Sequence, residues 1–115
     1  MTYKDAIELV GAEFELRHHT SVTKAIRTGR TLDGCNGFTI ILYNKGDKVI
    51  LTDIGNTKDV FDEVPKEEWE ELCKTHGFEF LNWSIVRDFT GLQDVYDYID
   101  FLDVVADKYC PLDEM

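Results

Sequence analysis

The reading of the fold turns on Phe38-Thr39-Ile40-Ile41-Leu42-Tyr43-Asn44-Lys45-Gly46-Asp47-Lys48-Val49-Ile50-Leu51-Thr52-Asp53. Two runs rich in β-branched and apolar residues, 38–43 and 48–53, flank a four-residue turn. Gly46 can take the positive φ that such a turn requires, so the stretch predicts a β-hairpin. Phe38, Ile40 and Leu42 fall on one face, and Thr39, Ile41 and Tyr43 on the other. Neither face is polar enough to stand free in water, so a helical layer is expected on one side.

Helical signals lie on both flanks of the hairpin. Towards the N-terminus, Thr2 with Asp5 three residues later forms a capping-box pattern. Tyr3, Ile7, Val10 and Phe14 follow at helical spacing, which predicts a helix over 2–14 with that stripe facing the core. Segment 17–30 holds Arg17, His18, His19, Lys24, Arg27 and Arg30 and is the one basic stretch. Ser21 could cap a short helix over 22–28 ended by Gly29, and a strand or an ordered loop reads nearly as well. Asp33-Gly34 and Asn36-Gly37 mark turns.

Beyond the hairpin, Gly55 stops the second strand, and Asn56 or Thr57 can cap a short helix through Val60 and Phe61. Pro65 suits the first turn of a helix over 65–75. Its early glutamates favour the positive helix start, and Trp69, Leu72 and Cys73 form its buried side. Gly77 ends it. Residues 78–87 read as a second hairpin or as a bent strand with Asn82 at the corner. Thr90 opens a long helix to about Tyr109. At 100° per residue Val95, Ile99, Leu102 and Ala106 share one side, while Asp97, Asp100, Asp103 and Asp107 share the other, with Phe101 and Val104 among them. The sum is an α+β fold in one domain over 1–115: a small antiparallel sheet, hairpin 38–53 plus short strands near 78–87, covered by helices and closed by a long C-terminal helix.

The Leu51-Thr52-Asp53-x-Gly55 turn after the first hairpin resembles that of a small bacterial and prophage family of unknown function. Ile54 stands where that family often has a second acidic residue, and 17–37 has no clear counterpart. The resemblance implies an N-terminal helix, the hairpin, two helices, a further short hairpin and a C-terminal helix. It implies a mobile-element setting and no particular reaction.

Composition bounds the function. An apolar share of 43% in 115 residues suffices for one core and is too high for a disordered acidic tail. Met1–Asp5 shows no basic stretch leading into an apolar run, and no segment is apolar enough to span a bilayer, so a cytoplasmic protein without membrane contact is expected. Cys35, Cys73 and Cys110 are odd in number and irregularly spaced, which suits reduced thiols and not a disulfide framework. Charge is uneven. Residues 1–58 carry eight Lys/Arg against seven Asp/Glu, and residues 59–115 carry four against sixteen, for net charges of +1 and −12. Such a chain repels nucleic acid and attracts basic partners.

Catalytic patterns are sparse. Neither Ser21 nor Ser84 sits in a nucleophile elbow. A Cys–His pair is possible in space for Cys35 or Cys73, with no local pattern behind it. Cys73 and His76 could face one metal ion, yet a second such pair is missing, and a buried cysteine beside a helix-ending histidine explains them as well. Asp53 ends a strand, where metal carboxylates of nucleases often sit, but it lacks the accompanying carboxylate and lysine. A turn-capping role before Gly55 is the simpler account. No glycine loop for phosphate is present.

Two functions are therefore carried forward. The first is a non-enzymatic, cofactor-free interaction module that binds a basic, nucleic-acid-binding protein surface by charge mimicry, as a phage or mobile-element inhibitor would. Its candidate face is Asp97, Asp100, Phe101, Asp103, Val104 and Asp107. The alternative is a small metal-dependent hydrolase or nuclease using Asp53, Asp33 and His18 or His19. Lys24, Arg27 and Arg30 are expected to pair with acidic residues, within the chain or across a homodimer.

Overall fold

The computed structural model describes residues 1–110. The elements run α1 (Tyr3–Gly11), β1 (Glu15–Thr20), β2 (Thr23–Arg27), β3 (Ile40–Asn44), β4 (Val49–Thr52), α2 (Asn56–Val60), α3 (Lys66–Thr75), β5 (Glu79–Leu81), β6 (Ser84–Asp88) and α4 (Leu92–Tyr109). The six strands form one antiparallel sheet in the order β1-β2-β3-β4-β6-β5. The α+β architecture with a long final helix is the one the sequence predicts.

The central hairpin forms as read, trimmed by two residues at its start and one at its end. Its turn closes when the Lys45 N–H donates to the Lys48 carbonyl at 2.9 Å and the Gly46 N–H to Asn44 Oδ1 at 2.9 Å. Gly46 has φ 92°, a left-handed value that costs a residue without Cβ nothing. The second hairpin also forms, which decides the 78–87 segment against a bent strand. Its two turn residues, Asn82 and Trp83, have φ 50° and 63°, the double positive φ of a turn whose twist matches its strands.

Segment 15–27 is a hairpin, β1–β2, and not a helix. Ile26 is buried in the core, and β2 pairs along β3 from Thr23↔Tyr43 to Ile26↔Ile40. Pairing with a strand far along the chain satisfies backbone groups that a short, β-branched helix would have held weakly. A bulge between His18 and Thr20 interrupts the outer edge.

Thr2 and Asp5 make the capping box, the Asp5 N–H donating to Thr2 Oγ1 at 3.1 Å and the Thr2 N–H to Asp5 Oδ2 at 3.4 Å. α1 ends three residues before Phe14, whose ring instead lies 5.4 Å from that of Tyr96. Pro65 caps α3 from just outside, and Gly91, not Thr90, caps α4.

All four helices lie on one side of the sheet. Ala6 and Val10 of α1, Trp69 and Cys73 of α3 and the buried face of α4 share one core with Ile26, Ile40, Leu42, Leu51 and Ile85, and Val60 at the end of α2 packs against it. Alternation sends Ala25, Ile41, Tyr43, Ile50 and Val86 to the opposite face, outside that core. No helix of the described residues is long and apolar enough to cross a membrane.

Candidate functional site

The face expected to bind a partner lies on α4, and its anchoring begins at Asp94. The Asp94 carboxylate accepts the Thr90 N–H at 2.7 Å, the Thr90 hydroxyl at 2.9 Å and the Gly91 N–H at 3.1 Å, and it pairs with Arg87 at 3.0 Å. Burial by itself would raise this carboxyl. The Thr90 donors, the Arg87 charge and the Gly91 N–H outweigh burial and hold it below the ordinary value. Helix start and strand β6 are thus fixed to one another.

Arg87 is the hub of the site. Its guanidinium sits over the Phe78 ring, 5.0 Å from the centroid, and reaches Asp97 at 3.1 Å as well as Asp94. Gln93 also donates to Asp97, at 3.0 Å. From the far side, Arg30 grips Asp103 through two bonds of 2.7 and 3.2 Å. Pairing of the basic segment within the chain is therefore present, for Arg30 with Asp103 and for Arg27 with Glu15 at 3.2 Å.

These pairs correct the expected face. Asp97 and Asp103 are engaged inside the chain, so among the described residues the row of four free aspartates becomes two, Asp100 and Asp107. Phe101 differs more sharply. It is 2% exposed and stacks on Phe78 with centroids 4.7 Å apart, with the His76 ring at 5.2 Å. It belongs to the core and offers no apolar anchor to a partner. Val104 stays on the surface at 39% exposure. The helical wheel placed Phe101 with the aspartates because it assumed one buried side. α4 buries a wider arc, including Tyr98, Phe101 and Val105, since the sheet covers one flank and the α3–β5 corner covers the next.

Between that corner and α4 runs a groove of about 350 Å³, lined by His76, Gly77, Phe78, Arg87, Asp97, Asp100, Phe101 and Val104. Its floor is aromatic and its rim carries two carboxylates. Beside it, α3 presents Glu67, Glu68, Glu70 and Glu71 to solvent, with Glu68 accepting the Tyr109 hydroxyl. The sequence reading found the aspartates but missed Arg87 and Phe78. A lone arginine alternating with Ile85 on a short strand was the available signal.

The candidate hydrolytic residues do not converge. Asp53 is fully buried. Its Oδ1 accepts the Ile85 N–H at 2.9 Å and the Gly55 N–H at 3.1 Å, and its Oδ2 accepts the Thr57 N–H at 3.2 Å. It binds the β4–α2 turn to β6, the capping role the turn chemistry suggests. Burial pushes its carboxyl above the ordinary value, opposed by those donors. Asp33 turns into its own loop, accepting the N–H groups of Asn36 at 2.7 Å and Cys35 at 3.0 Å, and the Asn36 bond first of all lowers its carboxyl. His18 and His19 lie on edge strand β1, three strand spacings from β4, or about 14 Å.

Cys73 and His76 also part company. Cys73 is buried, and burial pushes its thiol up to about 12, while His76 is exposed at the helix end. Among the described residues no three His, Cys, Asp or Glu side chains gather as metal ligands would. Compared with protein-family models, with curated proteins and with solved structures, the chain matches none.

Proposed function

We propose that the domain is a non-enzymatic interaction module whose helical layer docks a basic protein surface. One observation carries the reading. After Arg30 and Arg87 have taken Asp103 and Asp97, Asp100 and Asp107 remain on α4 without an ion pair among the described residues, about 10 Å apart along the helix. Asp100 stands on the rim of the groove floored by Phe78 and Phe101. A lysine or arginine of the partner can lay its aliphatic stem along the exposed Val104 and bring its charge to Asp100. Arg87 shows the same seating from inside, a guanidinium over Phe78 held by carboxylates.

Nucleic-acid-binding proteins carry such basic surfaces. Occupying one would make the domain an inhibitor, the mobile-element role that the Leu51–Gly55 resemblance implies. At a net charge of −11 the domain repels nucleic acid itself.

The test is affinity capture from bacterial lysate, then titration of the recovered protein across ionic strength. Binding should weaken steeply with salt. The double variant Asp100→Asn, Asp107→Asn should bind roughly tenfold more weakly, since exposed charge contacts contribute about 0.2–1 kcal/mol each. Added DNA should compete. Affinity indifferent to both salt and the double variant would remove the reading.

A further inference from the structure

Strand β1 is the free edge of the sheet at the end away from β5. Glu15, Arg17, His18, His19 and Thr20 are exposed along it, and Leu16 alone is partly buried, against the core. The phase of the ladder shows which of its backbone groups point outward. The Asn44 N–H donates to the Val22 carbonyl at 2.9 Å, so the even-numbered residues of β2 bond to β3, and Ala25 and Arg27 bond to β1. Their partners Arg17 and Glu15 are therefore satisfied inside the sheet. Leu16 and His18 alternate with these and turn their backbone groups to the outside, where the described residues supply no partner.

Charge along this edge is antisymmetric about Leu16. Glu15 precedes it and Arg17 follows it, and further out Glu13 and His19 repeat the order. A strand written this way is complementary to its own copy in the antiparallel direction. Turned end for end about Leu16, it sets Glu15 opposite Arg17 on both sides. Edge strands that resist pairing use charges that repel an approaching strand. This edge attracts its own copy. Its charges are also only loosely held within the chain. Arg17 lies 3.8 Å from Glu15, whose nearer contact is Arg27 at 3.2 Å, and all three side chains are more than half exposed.

We infer that β1 joins a second copy of this chain edge to edge, the two strands antiparallel about a two-fold axis at Leu16, so that the sheet continues from one copy into the other. Leu16 of each copy donates its N–H to the Leu16 carbonyl of the other. Glu15 and Arg17 form the pairs on either side of that centre. These are non-hydrogen-bonded pairs, the kind that brings Cα atoms to about 4.5 Å and side chains closest together. The ladder phase allows only registers centred on a residue. Centred on Arg17 or on Glu15, each would set that charge against itself. The bulge between His18 and Thr20 ends the regular pairing.

The charge of the whole molecule favours this edge over others. In a chain of net charge −11, residues 15–27 hold three Lys/Arg and one Glu. The acidic helix α3 packs on β5, at the opposite end of the sheet. Copies that meet at β1 therefore keep those surfaces apart. The other edge, β5, is three residues long and offers a shorter ladder. So small a joint makes a transient dimer. It shares no residue with the α4 groove, so either can fail alone.

Sedimentation velocity of the full chain across about 10–1,000 µM should show monomer giving way to dimer, and nothing larger, by mass action. Arg17→Glu or Glu15→Arg alone places two like-charge pairs in each dimer and should weaken association by about tenfold. An equimolar mixture of the two variants sets opposite charges against one another again and should associate about tenfold more tightly than either alone, a rescue that a loss of folding would not give. Circular dichroism checks that each variant is folded. In the unaltered chain, the Leu16 amide should exchange hydrogen more slowly as concentration rises, while the Arg17 amide, already bonded within the sheet, changes less. A monomer throughout the range, a dimer indifferent to both reversals, a mixture no tighter than its components, or a Leu16 amide insensitive to concentration would each overturn the proposal.

Discussion

Replacing Asp53 tests whether a carboxylate, instead of an active site, is what the end of β4 requires. Its two oxygens accept the N–H groups of Ile85, Gly55 and Thr57 at 2.9, 3.1 and 3.2 Å in a fully buried setting. Asp53→Ala leaves three donors without partners. Bonds to charged groups contribute about 1.5–3 kcal/mol each, but they are not additive, and removing a buried charge recovers part of the loss. We expect Asp53→Ala to cost about 3–5 kcal/mol, a large share of the roughly 5–15 kcal/mol that holds a domain of this kind folded. Asp53→Asn keeps an Oδ1 acceptor for Ile85 and Gly55 but turns an amide N–H₂ towards the Thr57 N–H, so its cost should be about half as large. Urea unfolding followed by fluorescence reads the difference, because Trp69 is wholly buried. The pH dependence has a definite sign. Burial raises the folded carboxyl above its ordinary 3.8. Between 3.8 and that raised value the folded chain holds more protons than the unfolded one, so stability falls as pH climbs through the window and is level above it. The deficit of Asp53→Asn against the parent should therefore be widest at the acid end and narrow as pH rises. An Asp53→Ala variant within 1 kcal/mol of the parent, on the order of a single neutral bond, would refute the reasoning.

Other substitutions check the site. Phe101→Ala should destabilise by about 3–5 kcal/mol while Val104→Ala changes stability by under about 0.5 kcal/mol, because one ring is packed on Phe78 and the other side chain is at the surface. Equal effects in thermal unfolding would mean that α4 is rotated from the placement described. Arg87→Ala should cost about 2 kcal/mol, and Arg87→Lys should recover only part of it, since a point charge cannot span Asp94 and Asp97 while lying on Phe78. Asp94 has the opposite pH sign to Asp53. Its folded carboxyl is lowered, so its contribution is complete above 3.8 and is lost as pH falls through the folded value. The deficit of Asp94→Asn should be full at neutral pH and shrink on acidification.

Much of the fold was readable in the chain because it rests on local chemistry. The Thr2–Asp5 capping box, the Asn44–Asp47 turn, the glycine that ends β4 and the Trp69–Cys73 stripe are each decided within a few residues, and each appears where the pattern puts it. The role of Asp53 was legible for the same reason, a carboxylate two residues before a Gly55 N–H that it can reach. Segment 15–27 was not, since its strand character comes from β3, some fifteen residues further along. Nor was the state of the α4 aspartates. Spacing shows that Asp97, Asp100, Asp103 and Asp107 share a helix face. It cannot show that Arg30 and Arg87 arrive from the loop before β3 and from β6 to occupy two of them, or that the α3–β5 corner closes over Phe101. The sequence by itself determined the central hairpin, most of the helices, the Thr2 capping box and the sign of the charge, because those depend on neighbours along the chain, while the starts of α2 and α4 fall at Gly55 and Gly91 and not at the side chains expected to cap them. Only tertiary structure decided which charges are spent internally and which aromatic is core, because each depends on side chains brought together from distant parts of the chain.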